Sequence, residues 1–277
     1  MTGFGKNAPS ESAAGRAGEV QYRITAALAL LPLFHVCNAY YKAVDHQPIG
    51  VRVLIPRELP NVKRPLLVRI HGGAFSEGTS DSWLRPWILE LALKHKAILV
   101  TPDYRLRPGA QFTEIIDDMR DFWKSVETSL PQLPGIEVDI SDLAIVGESG
   151  GGTLTAQTAL LDMIRPIRVI MCKRFADAQK HPHLDPIKNL EKAGPLPPVF
   201  LFHGRGDTSV RVSDAETWAD KLKRLQPDVP LHLVLREGEH CFDQSDTLAT
   251  PWLRDPIEFV ERYWPAKPYD MRSVLSC

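Results

Sequence analysis

A serine flanked by glycines stands directly after an apolar run near the middle of the chain. Residues 143–152 read LAIVGESGGG, so Ser149 occupies a Gly-x-Ser-x-Gly pattern, and apolar residues at helical spacing follow. A serine on a sharp strand-to-helix turn needs small residues two positions away on each side, which Gly147 and Gly151 supply. The N–H groups of the new helix would then favour negative charge at the serine. The pattern predicts that Ser149 is a nucleophile.

A second glycine motif follows an earlier apolar run. Residues 71–75 read HGGAF and come directly after the strand pattern at 66–70. A hydrolase that forms a tetrahedral intermediate needs two or three N–H donors aimed at the developing oxyanion. Consecutive small residues in a loop can present such donors, and the N–H of Gly150 would complete the set. Taken alone, the motif is equally consistent with a simple Gly-Gly turn.

An acid and a histidine follow Ser149 in the order that a catalytic triad on such a turn requires, namely serine, acid, histidine. The apolar run at 199–202 leads through a glycine turn to Asp207, and the run at 231–235 leads to His240. Open α/β sheets build their sites at the carboxyl ends of their strands. The spacing therefore predicts acyl transfer through Ser149, with His240 as general base and Asp207 holding the imidazole.

Three segments together resemble one family. HGGAF at 71–75, PDYRLRP at 102–108 and GESGG at 147–151 are similar to motifs of the hormone-sensitive-lipase-like (α/β-hydrolase fold-3) esterases. The similarity extends from about residue 41 to 263. That family carries its acid in a His-Gly-x-x-Asp context and its histidine in Gly-x-x-His-x-Phe, so the resemblance also implies Asp207 and His240.

The resemblance further implies how the loop after residue 70 works. The oxyanion donors would be the N–H groups of Gly73, Ala74 and Gly150, with Gly72 shaping the turn. His71 would orient the loop rather than take protons. The family more often has a third glycine where Ala74 stands, and the alanine keeps the N–H but narrows the loop. The implied activity is hydrolysis of a small-molecule ester, without a metal or another cofactor.

Residues beside these motifs are the candidates for a substrate pocket. Phe75 comes immediately after the oxyanion loop, and Trp83 can be reached from the same side. Glu148 precedes the nucleophile and is equally consistent with a structural role. Cys241 follows the histidine, at a position where a small residue is common, and either packs or lines the pocket.

The elements that must position these residues alternate between short apolar runs and longer segments with helical periodicity. This pattern is typical of strand–helix–strand units and predicts an α/β hydrolase fold, with a mostly parallel sheet covered by helices on both faces. The strands are expected at 49–55, 66–70, 97–101, 143–146, 167–171, 199–202 and 231–235. Helices are expected from Asp81 or Ser82 to about His95, at 112–130, after Ser149, at 213–225 and at 255–263. The short segment at 172–196 leaves room only for a reduced cap.

The two ends of the chain differ from this pattern. Residues 1–20 are rich in glycine, alanine, serine and charge, which predicts a poorly ordered tail before a single domain at 21–277. Residues 24–41 contain no charged side chain, but Pro32, His35 and Asn38 argue against a membrane span. We expect this segment to lie on the domain, as a lid over the mouth of the site.

Composition excludes several other classes of function. A formal net charge of −1 offers nothing to attract nucleic acid. The four cysteines have no metal-ligand spacing and favour free thiols in a reducing, cytoplasmic setting. His181, His183 and Asp185 lack a fourth ligand and are interrupted by prolines, so a solvated loop is favoured over a metal site. The oligomeric state stays open, a homodimer included.

Two other functions remain to be separated from ester hydrolysis. The same acyl-enzyme can act on a thioester, a lactone or a carrier-bound acyl chain in a biosynthetic pathway. Some proteins of this fold instead bind small molecules without turnover, but they typically lose the histidine, which this chain retains at His240.

Overall fold

One sheet of eight strands organises the protein. The computed structural model describes residues 26–58, 63–133, 137–173 and 185–266. Within these residues the strand order is β1-β2-β4-β3-β5-β6-β7-β8. The strands are β1 (Phe34–Val44), β2 (Gln47–Pro56), β3 (Arg64–Ile70), β4 (Ile98–Pro102), β5 (Val138–Glu148), β6 (Val169–Lys173), β7 (Val199–Gly204) and β8 (Leu231–Arg236). Pairs β1–β2 and β2–β4 are antiparallel and the others are parallel, so the expected α/β hydrolase sheet is confirmed.

Helices cover both faces of the sheet. They are α1 (residues 26–30), α2 (Pro86–Lys94), α3 (Phe112–Thr128), α4 (Gly150–Leu160), α5 (Pro186–Asn189), α6 (Val212–Leu225) and α7 (Arg254–Glu261). Alternate residues of each strand point to opposite faces. On one face Leu66 joins a core with Trp123 of α3 and Trp218 of α6. On the other face Leu67 joins a core with Trp87 of α2 and Val260 of α7. The central strands are therefore buried on both sides, which explains their continuous apolar runs.

The edge strand β1 corrects the expectation of a lid at residues 24–41. Residues 34–41 belong to this strand, which pairs with β2 through a two-residue turn at Asp45 and His46. Both turn residues have positive φ, 47° and 65°, as a tight hairpin with the right-handed strand twist requires. Most residues of β1 are exposed or only partly buried, so its sequence lacks the apolar run that marked the other seven strands.

The start of α2 is a second correction. We expected Asp81 or Ser82 to cap this helix, but the helix begins at Pro86 after Arg85 in an extended conformation. Proline suits the first helical position because its missing N–H would have no partner there and its φ is already helical. The residues between 81 and 85 instead form an irregular loop, and this loop brings Trp83 and Arg85 to the site.

Some expectations fall outside the described residues. The tail at 1–20 and His181 and His183 belong to the segments that the structure does not describe. Among the described residues, no three or more His, Cys, Asp or Glu side chains are grouped as metal ligands would be. No helix in the described part of the chain has the length and apolar character needed to cross a membrane.

The parallel strands deliver the chemically interesting residues to one edge of the sheet. Ser149 follows β5, Asp207 follows β7, and His240 follows β8. The loop at 71–75 follows β3, which is paired directly with β5. Because these strands are parallel, their carboxyl ends meet at the same edge, where α/β proteins bind their ligands.

Candidate active site

Ser149 stands on a sharp turn between β5 and α4. Its φ is 54° and its ψ is −120°, a conformation that side-chain-bearing residues rarely adopt. Its N–H donates to the carbonyl of Lys173 at 2.8 Å, which ties the turn to the end of β6. A Cβ on Gly147 would collide with the carbonyl of Gly151, and one on Gly151 with the carbonyl of Ile70. The two glycines of the motif are thus required by close backbone approach.

The acid and the histidine are in contact. Nδ1 of His240 lies 2.9 Å from Oδ1 and 3.1 Å from Oδ2 of Asp207. The carboxylate is fully buried, whereas the imidazole is 26% exposed. Asp207 also accepts the N–H groups of Ser209 and Val210, both at 2.9 Å, and Nε2 of His203 lies 3.3 Å from its Oδ2. With Nδ1–H donating to the carboxylate, Nε2 of His240 is left as the basic nitrogen.

One cavity of about 540 Å³ brings most of the predicted site residues together. Its walls include Gly72, Gly73, Ala74, Phe75, Trp83, Glu148, Ser149, His240 and Cys241. Two predicted residues are not part of its lining. Asp207 lies behind His240, and Gly150 packs against Phe75, whose ring would contact a Cβ built on that glycine.

The loop at 71–75 has an unusual backbone. Gly73, Ala74 and Phe75 have φ values of 97°, 51° and 64° in succession. A Cβ on Gly73 would collide with the carbonyl of Glu77, so this position requires glycine for both its φ and its space. The carbonyl of Gly73 accepts the N–H groups of Ser76 and Glu77, which closes the loop into a tight turn.

His71 stabilises this loop through a hydrogen bond and a ring contact. Its Nδ1–H donates to the carbonyl of Gly72 at 2.8 Å, and its ring stacks on Tyr104 with 4.2 Å between the centroids. Burial and the neighbouring Arg69 lower the pKa of His71 to about 4. The imidazole is therefore neutral at pH 7, as an orienting rather than a proton-transferring residue should be.

A buried cluster of charges under the cavity was not predicted from the sequence. Oε1 and Oε2 of Glu148 accept two N–H groups of Arg69, at 3.2 and 3.1 Å. Arg85 lies between Glu148 and Asp243, and Asp243 is also paired with Lys173. Burial alone would raise the pKa of Glu148, but Arg69 and Arg85 outweigh it and hold that pKa below its usual value. Glu148 therefore belongs to this charge network as well as to the cavity wall.

Two charged residues within apolar strand patterns could have indicated this cluster from the sequence. Arg69 interrupts the apolar run of β3, and Lys173 ends that of β6. A charged residue inside a buried strand requires a partner, because an unpaired buried charge is very costly. Arg107, Glu77, Ser209 and Val210 also line the cavity and carried no such signal.

Comparison with known proteins gives two adjoining family matches. Residues 67–171 match the Abhydrolase_3 family, described as an alpha/beta hydrolase fold, and residues 171–266 match the prolyl oligopeptidase family. A probable carboxylesterase of Phoma sp. is 27% identical over 81% of this chain and 94% of its own length. A non-reducing polyketide synthase of Stachybotrys bisbyi is 32% identical over 46% of this chain, which is 6% of the synthase.

The fold also agrees with a solved structure. A thermostable esterase from Pseudomonas putida superposes with a TM-score of 0.69 at 17% identity, covering 95% of this chain and 94% of the esterase. The sheet, the serine turn and the acid–histidine contact define an α/β hydrolase. Within that class, the match over residues 67–171 and the similarity to a probable carboxylesterase confirm the expected resemblance to the α/β-hydrolase fold-3 (hormone-sensitive-lipase-like) esterases.

Proposed function

We propose that the protein is a serine hydrolase that cleaves carboxylic esters of small molecules through an acyl-enzyme on Ser149. The observation that carries this proposal is the geometry of one cavity. Ser149 and His240 both line it, and His240 is held by the buried carboxylate of Asp207. These are the nucleophile, base and orienting acid that acyl transfer requires.

The first half of the reaction forms the acyl-enzyme. Nε2 of His240 takes the hydroxyl proton of Ser149 while Oγ attacks the ester carbonyl carbon. The tetrahedral intermediate collapses, the bond to the alcohol oxygen breaks, and His240 returns the proton to the leaving alcohol. In the second half a water molecule loses its proton to His240 and attacks the acyl carbon. Ser149 then leaves as a hydroxyl and the acid is released.

The negative charge of each intermediate needs fixed donors. We assign this task to the N–H groups of Gly73, Ala74 and Gly150. Two observations support that assignment. The left-handed backbone at residues 73–75 lines the cavity beside Ser149, and Gly150 follows Ser149 directly at the start of α4 and packs against Phe75. Each donor of this kind contributes about 100- to 1000-fold in rate. Preorganised N–H groups need no reorientation during the reaction.

The relatives support an ester as substrate and a second candidate beside it. The match to the Phoma carboxylesterase spans nearly the whole of that protein. The match to a polyketide synthase favours hydrolysis or transfer of a thioester or carrier-bound acyl chain by the same residues. Comparing kcat/KM for p-nitrophenyl acyl esters with that for acyl thioesters of the same chain length separates the two. We further propose a cytoplasmic setting, which the free thiols of Cys37, Cys172 and Cys241 support.

The variant Ser149→Ala tests the proposed nucleophile. It is expected to lose p-nitrophenyl ester turnover and labelling by a fluorophosphonate probe, with an unchanged thermal unfolding midpoint. The exposed Ser213 at the start of α6 gives a matched control, since Ser213→Ala should retain both activities. Normal labelling and turnover by the Ser149→Ala variant would show that the assignment is wrong.

A further inference from the structure

Two arginine side chains line the cavity that contains Ser149. Arg85 comes from the loop before α2, and its side chain is 3% exposed. Arg107 comes from the loop between β4 and α3 and is exposed at the mouth. Neither takes part in the acyl-transfer mechanism. Their presence in the lining of one cavity raises the question of what they bind.

Arg85 shares its two carboxylate partners with other cationic side chains. Its Nε lies 3.7 Å from Oε1 of Glu148 and 3.5 Å from Oδ2 of Asp243. Glu148 already accepts two N–H groups from Arg69, and Asp243 is paired with Lys173. Each of the two carboxylates near Arg85 therefore already has another cationic partner. Burying an uncompensated charge is costly, so a further anion would stabilise this arrangement.

Arg85 is the cation of this cluster that can contact an anion bound in the cavity. It lines the cavity, and its Nη1 donates to the carbonyl of Trp83. Its Nε is buried and makes no hydrogen bond to either of the two carboxylates. Its Nη2 makes no hydrogen bond to any residue in the described part of the chain. A guanidinium held in this way has N–H groups to offer a ligand.

Arg107 adds a second guanidinium at the cavity mouth. Its backbone N–H donates to the carbonyl of Phe75 at 2.7 Å, which fixes it beside the oxyanion loop. Within the described ranges its side chain forms neither an ion pair nor a hydrogen bond. An exposed arginine without a partner can turn towards a bound anion at little cost in free energy.

We propose that Arg85 and Arg107 form an anion subsite, and that the ester cleaved at Ser149 carries a carboxylate on its acyl or its alcohol part. This inference rests on the proposed esterase function and specifies its substrate class. Guanidinium groups bind carboxylates through paired, charge-assisted hydrogen bonds. Arg85 would hold the anion from within the cavity, and Arg107 would close over it from the mouth.

The carboxylate of Glu77 argues against an anion in this cavity. It is an exposed carboxylate on the same cavity, without an ion pair among the described residues. It would repel an anionic substrate and attract a cationic one. The two arginines outnumber it, and Glu148 is already neutralised by Arg69, so the wall as a whole favours an anion.

Matched pairs of esters test the subsite. The first pair is the mono-p-nitrophenyl ester of adipic acid and its neutral methyl ester, which place the charge on the acyl part. The second pair is 4-acetoxybenzoate and its methyl ester, which place it on the alcohol part. For at least one pair, the ratio of kcat/KM for the anionic to the neutral ester should exceed one. Arg107→Gln should lower that ratio about 10-fold or more, mainly through KM, because a hydrogen bond to a charged group is lost.

The controls separate this proposal from the proposed function. Arg211→Gln, an exposed arginine outside the cavity lining, should leave the ratio unchanged. Turnover of the neutral esters with ratios of one or below in both pairs would overturn the anion subsite and leave the esterase function standing. A preference for an ester carrying a trimethylammonium group, abolished in Glu77→Gln, would overturn it as well.

A protein that turns over none of these esters would contradict the proposed function instead. In that case calorimetric binding of adipate monomethyl ester still tests the subsite. Binding that weakens about 10-fold in Arg107→Gln supports it, and no binding at millimolar concentration overturns it.

Discussion

Nδ1 of His240 lies 2.9 Å from Oδ1 of Asp207, a carboxylate that is wholly buried. The carboxylate is held in place by the backbone N–H groups of Ser209 and Val210 before any substrate arrives. Fixing Asp207 in this way fixes the tautomer of His240, because an ionised carboxylate accepts hydrogen bonds and leaves Nδ1 as the donor. We propose that Nε2 is then the nitrogen that takes the proton of Ser149.

Asp207→Asn tests whether this contact serves catalysis. The amide preserves the shape of the carboxylate but can present an N–H to Nδ1, which would place the proton of His240 on the wrong nitrogen. We expect kcat to fall about 10⁴-fold, the loss measured for this change in a serine protease triad. Steady-state kinetics on a p-nitrophenyl ester measures it.

Asp255→Asn is the matched control for that experiment, because Asp255 is an exposed carboxylate on α7 that does not line the cavity. It should leave kcat within twofold. A kcat for Asp207→Asn within tenfold of the unmodified protein, with normal circular dichroism, would contradict the role of Asp207.

The sequence was most informative where local pattern decides structure. Seven strands were predicted because each contains a short apolar run, and the order of Ser149, Asp207 and His240 followed from their positions after three of them. The edge strand β1 and the start of α2 were missed, since solvation on one side and an irregular loop leave no periodic signal. The charge cluster was missed for another reason. Arg69 and Glu148 are 79 residues apart, and only the pairing of β3 with β5 brings them together.

Ala74 provides a test of the oxyanion loop. Its φ of 51° costs an alanine about 1–2 kcal/mol relative to its relaxed conformation, a cost that glycine avoids. Glycine loses more backbone entropy on folding, about 0.5–1 kcal/mol, so the two effects nearly cancel. Ala74→Gly should keep the free energy of unfolding within about 1 kcal/mol and retain activity.

Ala74→Val should behave differently, because a β-branched side chain is a genuine outlier at positive φ. It is expected to shift the backbone N–H of residue 74 and lower kcat by about 100-fold or more, the value of one oxyanion donor. Unfolding in urea and kinetics on the same ester measure both effects. Equal kcat values for the glycine and valine variants would exclude a catalytic role for this N–H.

The Arg69–Glu148 pair makes a prediction about stability. Both side chains are buried, so Glu148→Gln leaves the guanidinium of Arg69 without its countercharge. We expect a loss of about 3–5 kcal/mol in the free energy of unfolding, measured by urea denaturation. The double variant Arg69→Met/Glu148→Met removes both charges and should recover part of that loss.

An exposed pair on α7 is the control for this measurement. Arg254 and Asp255 are more than 70% exposed, and breaking their ion pair with Arg254→Met should cost less than about 1 kcal/mol. A loss of that small size for Glu148→Gln would show that the buried cluster does not stabilise the fold.

His71 makes the protein sensitive to acid. Its pKa is about 4 in the folded protein, lowered from the usual 6.5 mainly by burial, so the unfolded chain binds the proton more tightly. Its contribution to stability is complete above pH 6.5 and is lost as the pH falls towards 4, below which no further loss follows. The free energy of unfolding falls by up to about 1.4 kcal/mol per pH unit, and the total loss is about 3 kcal/mol.

His71→Asn isolates this contribution. The asparagine amide can still donate to the carbonyl of Gly72 but does not titrate, while all other acid-sensitive groups are shared by the two proteins. Urea denaturation of both proteins between pH 7 and 4 should show the unmodified protein losing about 3 kcal/mol more than the variant. The variant will be less stable at pH 7, because it lacks the stacking on Tyr104, but that difference should shrink with acid. A constant difference across this range would mean that the imidazole is not buried in its neutral form, and that His71 cannot hold the oxyanion loop in the way described above.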